Sequence, residues 1–257
     1  MADMADIDDV LAAWQRLVDL DLAPRTLPLS YMNSAAELKA FCGRQGGLIC
    51  TSSNARAAYE YVYARADRLF FFPDENLGYN VGRQMGIPDS QIVVWDFRAD
   101  DGGIDPDRLR QARLILWKGH CHVHTNFKPE HIVQVRRRFP EVKVVVHPEC
   151  VWDVVAAADA VGSTKFIVNY IDAQPPGSII AVGTEINLTN RMAHAHPDKT
   201  IFELSGQTCP VCANMYRTTM ADLANTVENL DVFDRIVVRD EIKADARLAL
   251  NRMLEVH

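Results

Sequence analysis

Short apolar runs alternate with amphipathic segments along most of the chain. The runs are rich in β-branched residues and are continuously apolar, which indicates strands buried on both faces. These runs predict strands at 47–51, 69–72, 91–95, 112–117, 142–147, 178–182 and 201–204. The amphipathic segments predict helices at 7–20, 35–41, 55–65, 129–138, 151–161, 186–196, 215–230 and 240–256. Such alternation of strands and helices is typical of parallel α/β layers.

The predicted elements fall into successive α/β sets, and one set ends where the next begins, after Cys121. We therefore expect two domains and a C-terminal segment, at 1–121, 122–208 and 209–257. Parallel sheets bind their ligands at the carboxyl ends of the strands. The turns after the predicted strands 47–51 and 142–147 are thus candidate positions for a functional site.

Composition and charge restrict the class of protein. The 257 residues, 48% of them hydrophobic, are enough to bury a sizeable core. The formal net charge of −7 argues against a nucleic-acid-binding protein, which would carry a basic stripe. No apolar run reaches the roughly 18–20 residues of a membrane span, and the acidic start lacks the features of a signal peptide. We expect a cytoplasmic enzyme whose six cysteines are metal ligands, catalytic groups or buried thiols.

Two cysteine segments are candidates for a metal site. Cys121 lies in a histidine-rich run after the predicted strand 112–117, and Cys209 and Cys212 form a CxxC pair. A CxxC pair in a cytosolic chain indicates a metal site, a redox pair or a chance occurrence.

The histidines around Cys121 leave a second interpretation open. His120, His122 and His124 alternate, so in a strand they would share one face. Three histidines on one face could bind zinc or iron in a hydrolase. The run itself offers no carboxylate to complete such a site.

Two further segments carry candidate polar groups. His147 and Glu149 follow an apolar strand and could act as general acid and base. The alternative is a helix N-terminus with Pro148 as its first residue. Ser163 and Thr164 follow a glycine, and this turn could bind a phosphate or a carboxylate.

Taken together and in this order, the motifs resemble the quinolinate synthase family. The matching segments are Tyr31-Met32-Asn33-Ser34-Ala35-Ala36, Cys50-Thr51-Ser52-Ser53-Asn54-Ala55, Phe72-Pro73-Asp74-Glu75-Asn76-Leu77-Gly78, Trp117-Lys118-Gly119-His120-Cys121-His122-Val123-His124, His147-Pro148-Glu149-Cys150, Val161-Gly162-Ser163-Thr164, Gly183-Thr184-Glu185 and Cys212-Ala213-Asn214-Met215. Each motif alone is common, whereas eight in register are highly specific.

The resemblance implies a transferase of NAD biosynthesis that condenses iminosuccinate with dihydroxyacetone phosphate to give quinolinate, water and phosphate. It implies a 4Fe-4S cluster that acts as a Lewis acid. It also implies a functional link to L-aspartate oxidase. The implied fold is a repeated three-layer α/β/α domain with short parallel sheets, of which this chain carries the second and third of three.

The resemblance also assigns roles to particular residues. Cys121 and Cys212 are the implied cluster ligands, with Cys209 as the fallback, because the family's ligand precedes a methionine by three residues, as Cys212 precedes Met215. The implied catalytic residues are Tyr31, His147 and Glu149. The implied substrate contacts are Tyr31, Asn33, Ser52, His147, Glu149, Ser163 and Thr164.

The chain departs from the family pattern in two places. Family members carry a domain ahead of this sequence, which holds the first cysteine ligand, so we expect a truncated product or a start codon assigned too late. Two cysteines would then hold a cluster weakly, and residues 1–257 alone would be poorly active. The segment 96–113 is also longer than in compact members and predicts an extra loop and helix. The alternatives are the zinc or di-metal hydrolase and an inactive fragment.

Overall fold

The computed structural model describes residues 2–206, 211–230, 232–233 and 235–256. Its strands are β1 (Thr26–Tyr31), β2 (Leu48–Cys50), β3 (Arg68–Phe72), β4 (Ile92–Trp95), β5 (Leu114–Trp117), β6 (Lys143–Val146), β7 (Ala160–Val161), β8 (Ile179–Gly183) and β9 (Thr200–Glu203). Its helices are α1 (Ile7–Asp19), α2 (Ala36–Arg44), α3 (Ala55–Tyr63), α4 (Glu75–Gln84), α5 (Pro106–Gln111), α6 (Pro129–Arg138), α7 (Trp152–Ala157), α8 (Thr164–Asp172), α9 (Ile186–Ala195), α10 (Met220–Glu228) and α11 (Asp240–Leu254).

The first α/β unit is built on a five-stranded parallel sheet with the strand order β2-β1-β3-β5-β4. Alternate side chains of β3 belong to different core clusters. Phe70 and Phe72 pack on one face of the sheet, and Leu69 and Phe71 pack on the other. Both faces are therefore buried, which explains why these strands appear as continuous apolar runs in the sequence.

The second α/β unit has a four-stranded parallel sheet with the order β7-β6-β8-β9. Its strand β6 repeats the pattern, because Val144 and Val146 enter one core cluster and Val145 enters another. Two parallel sheets, each with helices on both faces, confirm the predicted α/β class of repeated three-layer units.

The helix α11 returns to the first unit, although it follows the second unit in the chain. It packs on α2 and β2, and Arg252 donates hydrogen bonds to the carbonyls of Gly43 (3.0 Å) and Gly47 (2.6 Å). Gly43 is required at this contact, since a Cβ atom there would lie 1.9 Å from the carbonyl oxygen of Asp245. In the sequence, the strands of one sheet precede residue 121 and those of the other follow it. The division into domains at 1–121, 122–208 and 209–257 stays a prediction.

The apolar pattern missed β1. This strand contains Pro28, and polar residues at Thr26 and Ser30 interrupt its apolar pattern; a proline is unusual for a strand at an inner position of a sheet. Its pairing with β2 begins only at Leu29, so the missing N–H of Pro28 removes no bond there. The adjacent Gly47 allows close approach, because a Cβ atom would lie 1.9 Å from the Pro28 carbonyl oxygen.

The predicted helix at 151–161 is wrong in its second half. The helix α7 ends at Ala157, and β7 then adds to the sheet beside β6. Asp159 makes this possible: its carboxylate accepts from the N–H of Val144 at 2.7 Å and its own N–H donates to the Val144 carbonyl at 2.9 Å. The extra loop and helix predicted at 96–113 are confirmed by α5 and the turn before it. None of the described helices has the length and apolar character needed to cross a bilayer.

Candidate active site

Loops from both units line one cavity of about 870 Å³. Tyr31 ends β1 and Cys121 follows β5 in the first unit, while Glu149 follows β6 and Thr184 follows β8 in the second. These positions are the carboxyl ends of parallel strands, where the topology predicts a ligand site. The predicted turn after 142–147 therefore lines the cavity, through His147 and Glu149, whereas the turn after 47–51 does not.

His124 and Glu149 form a buried ion pair in this cavity. His124 Nδ1 lies 2.9 Å from Glu149 Oε2, and His124 Nε2 lies 3.1 Å from the hydroxyl oxygen of Thr184. The two residues are only 8% and 3% exposed. His124 comes from the segment that links the two sheets, so it connects residues of the second unit to the Cys121 loop.

The charge state of this pair follows from its hydrogen bonds. Burial alone would lower the pKa of His124, but its hydrogen bonds with Cys121 and Glu149 outweigh burial and raise the pKa to about 10. Burial would raise the pKa of Glu149, but the bond to His124 and the nearby positive charge lower it to about 2. At neutral pH the pair is an imidazolium and a carboxylate.

His147 is a neutral histidine stacked on this pair. Its ring lies 4.5 Å from that of His124, centroid to centroid, with 21° between the planes. Burial and the positive charge of His124 lower the pKa of His147 to about 4. Its Nδ1 accepts from the N–H of Glu149 at 3.3 Å, which leaves the ring proton on Nε2.

Tyr31 extends the network towards the first unit. Its hydroxyl lies close enough to the Glu149 carboxylate and the Ser52 hydroxyl for both groups to influence its pKa. Burial, with the charge of Glu149, raises the pKa of Tyr31 above its ordinary value, so the phenol stays protonated. Ser52 thus acts through Tyr31 and does not line the cavity itself. The alternative in which Pro148 opens a helix is wrong, because 148–150 form a turn and α7 begins at Trp152.

Asp74 has a role that the sequence did not reveal. It caps the helix α4, since Oδ1 accepts from the Leu77 N–H at 2.7 Å. Its second oxygen, Oδ2, accepts from the N–H of Cys121 at 3.0 Å. Burial and the charge of Glu149 raise the pKa of this carboxyl well above its ordinary value. Asp74 therefore holds the Cys121 loop as well as the start of α4.

The described cysteines fall into two groups. Cys42, Cys50 and Cys150 are fully buried, and burial raises the pKa of each thiol, which disfavours the thiolate that binds metals. Cys121 and Cys212 are half-buried and line the cavity. Cys209, the fallback ligand, lies outside the described residues.

The alternating arrangement of His120, His122 and His124 is not found. The chain turns at 122–123 and continues as a 3-10 helix at His124–Asn126, so the histidines do not share the face of a strand. His124 is buried in the ion pair, whereas His120 and His122 are exposed at the cavity. His122 Nε2 lies 3.4 Å from the carbonyl oxygen of Val211, which connects this loop to the Cys212 segment.

Two of the three remaining predicted substrate contacts line the same cavity. Asn33 and Thr164 are exposed side chains that line it. Ser163 does not line it, since its hydroxyl caps α8 by accepting from the N–H of Phe166 at 3.3 Å. Arg191, on α9, is the one lysine or arginine side chain that lines the cavity among the described residues, and no motif drew attention to it.

Comparison with known proteins agrees with this arrangement. The family model described as "Quinolinate synthetase A protein" matches residues 1–255. The chain belongs to this family. A quinolinate synthase of Acidobacterium capsulatum is 48% identical over 262 residues, covering 100% of this chain and 70% of that protein. Quinolinate synthases of Bacillus cereus and Bacillus anthracis are 45% and 44% identical over 258 residues, covering 99% of this chain and 69% of theirs.

Membership of the quinolinate synthase family suggests a metal cofactor, and the donors in the cavity can be compared with that expectation. Cys121, His124 and Glu149 offer ligand atoms that lie within 4.8 Å of one another. Two of these three are already engaged in the buried ion pair. Cys121 is the member of this group that remains, and Cys212 is the second described thiol that lines the cavity. Thiolates are the usual ligands of iron–sulfur clusters.

Proposed function

We propose that the chain takes part in quinolinate synthesis by condensing iminosuccinate with dihydroxyacetone phosphate, which gives quinolinate, water and phosphate. The observation that supports this best is the juxtaposition of Glu149, His147 and Tyr31 with two cysteines in one cavity. A base, a neutral histidine and a phenol beside thiol donors suit a reaction that moves several protons and eliminates water.

Cys121 and Cys212 would hold a 4Fe-4S cluster, with Cys209 as the fallback for the second position. A cluster with an open iron site would supply Lewis acidity for the loss of water. Cys121 is held in place for this role by the bond from its N–H to Asp74.

Glu149 is the proposed base. It is ionised at neutral pH because His124 pairs with it, and one of its oxygens is oriented by that bond. Tyr31 stays protonated and is suited to donate a hydrogen bond to the same carboxylate or to a substrate oxygen. His147 carries its proton on Nε2 and, being neutral, is suited to donate a hydrogen bond to a substrate oxygen.

The substrates are anionic, and the cavity offers donors for them. The exposed side chains of Asn33 and Thr164 can contact carboxylate or phosphate oxygens from the first and the second unit respectively, and Tyr31 adds a hydroxyl that Ser52 supports from behind. Ser163 supports Thr164 by capping the helix that begins there. We also propose a cytoplasmic location and a functional link to L-aspartate oxidase, which would supply the imine substrate.

The test is anaerobic reconstitution with iron and sulfide of the protein produced from the complete reading frame of its gene, followed by chromatographic measurement of quinolinate. We expect broad absorbance at about 400 nm, typical of thiolate-bound clusters, and quinolinate formed only when both substrates are present.

Two results would contradict the proposal. Colourless protein with stoichiometric zinc would favour a hydrolase, and protein that binds no metal and forms no quinolinate would favour an inactive fragment. Metal analysis and the product assay on the same preparation distinguish these results.

A further inference from the structure

Asn80 of α4 bridges the two α/β units. Its side chain is fully buried, and its amide nitrogen donates to the carbonyl oxygens of Pro148 and Cys150, both at 2.7 Å. The helix α4 belongs to the first unit, whereas the two acceptors belong to the loop after β6 in the second unit. Both amide hydrogens of one side chain are thus used on a single turn.

The two acceptors lie on either side of Glu149 in the sequence, so these bonds act directly on the loop that carries the proposed base. The loop is also held within its own unit, where the N–H of His147 donates to Gly183 and that of Cys150 donates to His147, both at 3.0 Å. Those bonds set the shape of the turn. The bonds from Asn80 set its position relative to the first unit.

The side chain of Asn80 is only partly satisfied. Its oxygen Oδ1 is buried and has no hydrogen-bond partner among the described residues. A buried polar atom without a partner is destabilising, whereas the two donors of the same amide satisfy the carbonyls of Pro148 and Cys150. The amide is therefore explained by the turn that its two donors hold.

The same helix also holds the Cys121 loop. Asp74, which caps α4, accepts from the N–H of Cys121 at 3.0 Å. One rigid helix thus contacts the loop of the proposed cluster ligand at its start and the loop of the proposed base near its middle. The helix α4 also packs on α7 of the second unit, including the edge-to-face contact of Tyr79 with Trp152, which stabilises its position between the two units.

We propose that Asn80 is a positioning residue that fixes Glu149 and His147 relative to Cys121 across the boundary between the two units. This inference rests on the proposed function for its kinetic consequence, but the positioning itself can be measured without any activity. A small displacement of a catalytic group is known to reduce turnover far more than it reduces stability.

The test compares Asn80→Leu, which removes both donors at similar size, and Asn80→Asp, which keeps at most one, with Tyr59→Phe. Tyr59, on α3, is an internal control. Its buried hydroxyl donates to the carbonyl of Gly78 on α4 at 3.0 Å, so Tyr59→Phe removes a buried hydrogen bond to α4 and leaves the bonds from Asn80 to the loop after β6 in place. Hydrogen–deuterium exchange of the 147–151 segment is measured by mass spectrometry. The reconstituted proteins are also compared for kcat, KM and absorbance at about 400 nm.

We expect both Asn80 variants to exchange faster at 147–151 than Tyr59→Phe does, and kcat to fall about tenfold to hundredfold with cluster absorbance retained. Equal exchange in all three variants would overturn the proposal, as would a normal kcat in Asn80→Leu. If Asn80→Leu does not fold, Asn80→Asp decides the question by the same measurements. If the unmodified protein forms no quinolinate, the proposed function fails, and the exchange data alone decide the role of Asn80.

Discussion

The two α/β units contribute different chemistry to the shared cavity. The first unit supplies a thiol and a phenol, from Cys121 and Tyr31, at the ends of its strands. The second supplies His147, Glu149 and the Thr184 hydroxyl. Two units of similar architecture thus place a thiol on one side of the cavity and most of the groups that can carry a proton on the other. His124, between the sheets, connects the two sets.

Removing the thiol of the first unit should have the largest effect. Cys121→Ser is expected to abolish cluster absorbance and nearly all quinolinate formation, because a serine hydroxyl is a poor ligand for iron–sulfur clusters. Iron analysis and the spectrum at about 400 nm provide the measurement. Cys42→Ala, at a buried cysteine of the first unit away from the cavity, should keep the cluster. Retained absorbance in Cys121→Ser would refute the assignment of this ligand.

Removing the base of the second unit should spare the cluster and stop the chemistry. Glu149→Gln is expected to lower kcat by about 10²–10⁴-fold, the usual contribution of a general acid or base. Glu203→Gln is the matched control, since Glu203 is also a buried carboxylate at the end of a strand but bonds only to its own turn, through Ser205 and Gly206. Similar kcat values for the two variants would exclude a special role for Glu149.

A smaller effect is expected at Arg191, where the second unit meets the cavity. Its guanidinium should attract anionic substrates, so Arg191→Gln is expected to raise KM up to about fivefold, as for an exposed ionic contact of roughly 1 kcal/mol. The increase should shrink as salt is added, because exposed charges are screened. Arg137→Gln, at an exposed arginine on α6 away from the cavity, serves as the control. An unchanged KM at low salt would show that Arg191 does not meet the substrate.

The smallest effect concerns the helix cap beside Thr164. Ser163→Ala removes the bond to the Phe166 N–H and should lower the free energy of unfolding by about 1 kcal/mol. Chemical denaturation measures this change. Ser163→Asp retains a capping oxygen and should be close to the unmodified protein. If both variants unfold alike, the cap contributes nothing.

Most strands and helices could be predicted, because a strand that is buried on both faces of its sheet is a continuous run of apolar residues in the sequence. β5 and β6, for example, are unbroken apolar runs. β1 and β7 could not be predicted, because their positions depend on long-range pairing. Pro28 fits within β1 because the pairing with β2 begins at Leu29. The chain before β7 is fixed by the hydrogen bond from the Val144 N–H to Asp159.

Residues of the candidate site that belong to short sequence motifs could be predicted. Residues whose contacts join distant parts of the chain could not. Glu149 and His147 were found from their place after a strand. The pairing of Glu149 with His124, 25 residues earlier in the chain, depends on how the linking segment folds back. Asn80 carried no signal at all, since an asparagine inside a helix is ordinarily a surface residue.

The packing of α11 on α2 has a consequence for protein synthesis. The ribosome completes the first sheet long before it makes α11, yet that helix covers one side of α2 and β2. Domains generally fold in order of synthesis, N-terminal part first. Here one side of the first unit remains uncovered until the second unit has been synthesised, so the first unit cannot complete its core in strict order of synthesis.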